Sequence, residues 1–150
     1  MDREGFADAP PRVSIIIPTR DRADLLARAV ETLFEQSDWP DKELVIVDNG
    51  STESQTFALF DRIRHAPNVQ IVRHDSPFNF PELINIGARA ARGDVLAIMN
   101  NDVETDRRDW MAPLVGIASD PEVGVVGAKL LYGDGTLQHA GMTLGIRGIV

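Results

Sequence analysis

Four short runs rich in β-branched and apolar residues, VSIII (13–17), ELVIVD (43–48), NVQIVRH (68–74) and DVLAIM (94–99), set the limits on this fold. Runs of this length and composition read as buried strands. Between them lie stretches with helical spacing. In DRADLLARAVETLFEQ (21–36), Leu25, Leu26, Ala29, Val30, Leu33 and Phe34 recur on one face, and Asp21 is the expected N-terminal cap. STESQTFALFDRIRH (51–65) predicts a second helix capped by Ser51 or Thr52. PELINIGARAARG (81–93) predicts a third, entered through Pro81 and stopped by Gly93. RRDWMAPLVGIAS (107–119) predicts a fourth, and EVGVVGAKLLY (122–132) one or two further strands. Strands alternating with helices imply βαβ units, hence an α/β domain with a mostly parallel sheet and helices on both faces. Right-handed crossovers make it a Rossmann-like doubly wound arrangement.

Residues 1–12, with Pro10-Pro11, read as a flexible leader, and 13–150 as the folded region. The apolar, strand-like TLQHAGMTLGIRGIV (136–150) stops without a polar cap, so the chain is expected to be the first part of a larger domain.

Ligands of such sheets bind outside the carboxyl ends of the strands. Those ends carry Pro18-Thr19-Arg20, Asp48-Asn49-Gly50-Ser51, His74-Asp75 and Asn100-Asn101-Asp102. The charge balance narrows the ligand. Fifteen Lys and Arg against 23 Asp and Glu give a formal net charge of −8, which argues against a nucleic-acid backbone, although a local basic patch could hold a nucleotide. There is no cysteine, so thiolate metal sites, disulfides and thiol nucleophiles are excluded. That composition fits a reducing cytoplasm, with peripheral attachment at the inner face of the membrane as a variant. The start lacks the apolar core of a signal peptide, and no run in this chain approaches the roughly 20 residues of a transmembrane segment.

Three strand ends carry candidate chemistry, each with a plainer explanation beside it. Asp48 can accept hydrogen bonds from a base or ribose, or it can close an Asx turn. Arg20 and Arg22, near a helix N-terminus, can meet phosphate, or they can be solvated charges beside a capped helix. Asn100, Asn101 and Asp102 can hold a hard cation such as Mg²⁺ or Mn²⁺ through oxygen, or bond their own backbone in a turn. His65, His74 and His139 lack ligand spacing to one another, which argues against zinc. The glycine loops of P-loop and dinucleotide folds and the nucleophile elbow are all missing.

In order and spacing, VSIIIPTRDRADLLARAVETLFEQ, ELVIVDNGST, FNFPELINIGARAARGDVLAIMNNDVE and LLYGDGTLQHAGM resemble the family-2 glycosyltransferases of the GT-A fold, and most nearly their rhamnosyl- and O-antigen-type branch. The resemblance runs from about Val13 to the end of the chain. It implies cell-wall or polysaccharide biosynthesis, in which a sugar passes from a nucleotide-diphosphate donor (UDP-, dTDP- or GDP-linked) to a hydroxyl of a saccharide or lipid-linked acceptor. Pro18, Thr19 and Arg20 would then lie at the nucleoside and Asp48, with Gly50 in its turn, at the base. Asn85, Gly87, Ala91 and Gly93 match an N-x-G-x-x-x-A-x-G helix under the nucleotide-sugar. Asn100, Asn101 and Asp102 stand where the family carries its D-x-D motif, so Asp102 would be the metal ligand for Mg²⁺ or Mn²⁺ and Asn101 would lie near the ribose. Asn100 replaces the first acid of that motif, and Ile84 stands where arginine is frequent. The base that deprotonates the acceptor is expected beyond Val150, which leaves this chain as the donor- and metal-binding half. The competing readings are a nucleotidyltransferase, whose glycine- and lysine-rich loop PTRDRADL does not supply, a non-catalytic nucleotide-binding or scaffold module, and a receiver-type phospho-acceptor fold.

Overall fold

The structure, a computed structural model, describes residues 9–141. Strands β1 (Val13–Thr19), β2 (Lys42–Asp48), β3 (Val69–Arg73) and β4 (Val95–Ile98) form one parallel sheet in the order β3-β2-β1-β4. All seven residues of β1 are buried, as expected of a strand covered on both faces. Register aligns the strand ends, with Thr19 beside Asp48 and Asp48 beside Arg73.

Side-chain alternation sends β1 into two cores. Val13, Ile15 and Ile17 point to one face, where they meet Leu26 of α1 (Ala23–Ala29), Leu33 of the π-helical continuation Val30–Glu35, Leu59 and Phe60 of α2 (Ser54–Ile63), and Met111 of α4 (Met111–Ala118). Ile16 points to the other, where it joins Val45, Val47 and Leu83 of α3 (Phe80–Ala90). The second face is tight at Gly87, where an added Cβ would lie 2.4 Å from Ile16 Cγ2. Only glycine lets α3 sit this close to the sheet. Ile84 packs against this second cluster as well.

A buried acid fastens the amino ends of the strands. Glu43 is 1% exposed, and its carboxylate accepts the Ser14 hydroxyl at 2.6 Å, the Arg92 backbone N–H and the Arg12 guanidinium at 3.2 Å. Burial alone would raise its pKa, but the bonds from Ser14, Arg92 and Arg12 outweigh burial and hold the carboxyl below its ordinary value. Arg12 belongs to the stretch read as a leader, and its neighbour Pro11 accepts Trp39 Nε1–H at 3.0 Å. Residues 1–8 lie outside the described residues.

The structure corrects three local expectations. Residues 122–132 do not form a full strand. Only Leu130–Leu131 (β5) is extended and paired, antiparallel to Leu137–His139 (β6) in a separate two-stranded sheet. Val125 is 90% exposed, so that apolar run finds no core among the described residues. The strand-like reading of 142–150 lies outside them. Neither Ser51 nor Thr52 caps α2, and Asp21 does not cap α1. Asp21 instead reaches across to the α2 start, where its Oδ1 accepts the N–H groups of Thr52 and Glu53, both at 2.8 Å. The expected entry to α3 holds, with Pro81 in its first turn, and Asn79 adds a cap by accepting Glu82 N–H.

Candidate functional site

Strand order decides where a ligand can sit. From β1 the chain steps outward to β2 and β3, then returns through α3 to place β4 on the opposite side of β1. Loops leaving β1 and β4 therefore diverge, and the crevice between them is the topological switch point. A cleft of about 540 Å³ opens there. One wall comes from the β1–α1 loop and the start of α1, through Pro18, Thr19, Arg20, Arg22 and Leu25. The residues after β4, Asn100, Asn101 and Asp102, form a second wall. Asn49, Phe78, Phe80 and Leu83 close the third.

The first two walls are tied together. Asn101 Nδ2 donates to Thr19 Oγ1 at 3.0 Å, which leaves the Asn101 amide oxygen as an acceptor. Asn100 and Asp102 are exposed. Arg20 is exposed and makes no hydrogen bond or ion pair among the described residues, whereas Arg22 is paired with Asp24 at 3.1 Å. The loop that carries both arginines is strained. Asp21 and Arg22 have φ of 54° and 53°, a left-handed conformation that non-glycine residues seldom adopt. The Asp21 N–H donates to Ser51 Oγ at 2.8 Å, and its carboxylate holds the α2 amides, so the β2–α2 loop enforces the shape. The bond from Glu53 N–H, joined by those from Thr52, keeps the Asp21 carboxyl below its usual range.

Asp48 and Asn49 divide their work. Asp48 is 2% exposed and turned into its own turn, where Oδ1 accepts Ser51 N–H at 2.9 Å and Oδ2 accepts Arg73 Nη1 at 2.9 Å. Its neighbour Asn49 lines the cleft. The Asn49 amide donates both protons, to His74 O at 3.1 Å and Ser76 O at 2.9 Å. Its Oδ1 is buried without a partner.

Of the residues singled out by sequence, Pro18, Thr19, Arg20, Asn100, Asn101 and Asp102 converge on the cleft. Gly50 has φ 75°, and a Cβ there would lie 3.0 Å from Asp75 Oδ1, so it shapes the turn below. Asn85 is exposed on α3 and not on the cleft wall, while Gly87 is buried under the helix. Sequence reasoning missed Asn49, Phe78, Phe80, Leu83 and Leu25 as wall residues. The signal for two of them was present in SPFNFP, where aromatics sit between prolines in a loop.

The donor set suits a hard divalent cation that draws most of its ligands from elsewhere. Asp102 offers a carboxylate, and the neighbouring amides offer neutral oxygens. Among the described residues no group of three or more His, Cys, Asp or Glu could cage a metal alone. A cation here would need phosphate and water oxygens, as Mg²⁺ sites commonly do.

Known proteins resemble the chain at the levels of sequence and structure. The profile of glycosyl transferase family 2 matches residues 14–145. An O-antigen biosynthesis protein, RfbC of Myxococcus xanthus, is 44% identical over 138 residues, 92% of this chain and 11% of its own length. An uncharacterized protein of Sinorhizobium fredii, y4gI, is 41% identical over 143 residues, 95% of this chain and 16% of its own length. The chain thus spans well under two thirds of these relatives. A mannosyltransferase of Pyrobaculum calidifontis, solved with GDP-Man and Mn²⁺, superimposes with a TM-score of 0.69 at 28% identity, covering 79% of this chain and 37% of that one. Among the described residues no helix is long and apolar enough to cross a membrane.

Proposed function

The chain belongs to glycosyl transferase family 2, and from that premise we propose that it forms the donor- and metal-binding half of an inverting glycosyltransferase. The observation that carries the reading is the convergence of Asp102, Asn101 and an unpaired Arg20 on one cleft at the switch point. A carboxylate and a guanidinium on facing sides of one cleft suit a metal–diphosphate, whose charge each complements in part.

In this reading Asp102 would hold Mg²⁺ or Mn²⁺, and the amides of Asn100 and Asn101 could add neutral oxygen ligands. The bound ion would supply Lewis-acid stabilisation of the leaving diphosphate. Arg20 adds a phosphate contact, and Pro18 and Thr19 border the nucleoside. Asn49, on the cleft wall, positions the loop after β3 through its bonds to His74 O and Ser76 O. Asp48 and Gly50 act one step back, by holding the turn that presents Asn49. Gly87 acts from beneath by seating α3, and Asn85 belongs to the same helix. The acceptor is a hydroxyl of a saccharide or lipid-linked glycan. Its oxygen attacks the anomeric carbon, the bond from that carbon to the diphosphate oxygen breaks, and the hydroxyl proton passes to a base that we assign to none of residues 9–141.

Calorimetric titration with UDP, dTDP and GDP, each with and without Mn²⁺, tests the reading. One nucleotide should bind in a metal-dependent way, and Asp102→Ala should abolish that dependence. Absence of binding by the unaltered chain for all three would sink it.

A further inference from the structure

We propose that Phe78 is the stacking surface for the donor's nucleobase. The proposal rests on the donor-binding reading above and adds to it the residue that grips the base. Phe78 is 70% exposed and lines the cleft. A phenyl group on a loose loop would carry no argument, but this loop is built. Asn49 donates to the carbonyls of His74 and Ser76 at 3.1 and 2.9 Å, His74 Nε2 pairs with Glu82 Oε1 at 3.1 Å, and the Asn79 side chain caps α3. Pro77 and Pro81 fix φ on either side. Phe78 therefore stands between two anchored points, two residues from a carbonyl that Asn49 holds. The structure pins a large apolar ring where it loses contact area to water, which is costly until something flat covers it.

The chemistry of the donor selects what does so. The metal–diphosphate belongs beside Asp102 and Arg20, and sugar hydroxyls seek amides and carboxylates. The base is the part of the donor that presents a flat π face, which gains from a phenyl. Sequence tolerance follows, because any base offers a π face and stacking by itself does not choose among them.

The test compares nucleoside diphosphates with pyrophosphate, each with Mn²⁺, on the unaltered chain and on Phe78→Ala and Phe78→Trp. Because the ring is exposed, the alanine variant should melt with the unaltered protein. Phe78→Ala should raise Kd for the binding nucleoside diphosphate about tenfold or more and leave pyrophosphate unchanged. Phe78→Trp should restore nucleotide affinity. Base-proton resonances of the bound nucleotide should move upfield in the unaltered chain and not in Phe78→Ala. If the unaltered chain binds nucleotide and Phe78→Ala binds it equally, stacking is overturned while the donor reading stands. Equal weakening toward nucleotide and pyrophosphate would also overturn stacking, since it marks a loop that merely positions other groups. If the unaltered chain binds pyrophosphate but no nucleotide, or binds neither, the donor reading itself fails.

Discussion

Gly87→Ala sets two effects of opposite sign against each other. Alanine is favoured over glycine in a helix interior by about 1 kcal/mol. At this position, however, the new Cβ would lie 2.4 Å from Ile16 Cγ2 and 3.2 Å from Val47 Cγ2. Carbon pairs prefer about 3.5–4.0 Å, so α3 must lift by roughly 1 Å or push buried side chains aside. Ile16 and Val47 are both fully buried in the sheet and have no solvent to swing into. Overpacking of this kind costs about 1–3 kcal/mol. The clash is severe, so the upper part of that range applies and exceeds the propensity gain, leaving a net loss of about 1–2 kcal/mol. For a domain of this size that is a fall in Tm of roughly 2–8 °C. The displacement should also reach the cleft, because the first turns of α3 carry Phe80 and Leu83 into its wall. Thermal unfolding followed by circular dichroism measures the first effect, and nucleotide titration the second. Gly124, which has nothing within 4 Å of an added Cβ, serves as the control and should tolerate alanine. A rise in Tm for Gly87→Ala would refute the packing argument, since helix propensity would then be acting alone.

Three further outcomes follow from particular contacts. Glu43 is held below its ordinary pKa in the fold, so its stabilising contribution is present above the unfolded value of about 4.3 and disappears as pH falls through the lower folded value; Glu43→Gln should therefore lower Tm near neutral pH and flatten its dependence below about pH 4.3, as read by acid titration of the melt. Asp21→Ala should lower Tm and weaken nucleotide binding, because it frees both the α2 amides and the strained arginine loop, while Asp21→Asn, which keeps an oxygen acceptor, should lose less on both counts. Gly50→Ala places a side chain at φ 75° and against Asp75, which should cost about 1–2 kcal/mol in urea denaturation, and Gly50→Asn should cost less.

The parallel sheet was legible because its strands are buried on both faces, which writes them as unbroken apolar runs in VSIII and ELVIVD. EVGVVGAKLLY reads the same way yet yields only Leu130–Leu131 as strand. Whether an apolar run becomes a strand depends on a partner to pair with, and pairing is not written in the run itself. Asp21 failed for a related reason. Proximity in sequence assigns it to α1, but two left-handed residues swing its carboxylate to amides 31 and 32 positions away. Nothing local announces a φ of 54° at aspartate.

The site shows the same division between what is clustered in sequence and what is assembled in space. Asn100, Asn101 and Asp102 were legible because three polar groups at the end of a buried strand have few reasons to be there together. At the end of β2 the sequence singled out Asp48 and passed over Asn49, which the fold puts on the cleft wall. Charge favoured Asp48, but the fold turned it toward Ser51 and Arg73 and brought Asn49 to the cleft. Asn49 spends both amide protons on the carbonyls of His74 and Ser76, which ties the loop after β3 to the end of β2. Which of the two lines the cleft was beyond the reach of sequence, because it depends on the hydrogen bonds that fix the turn.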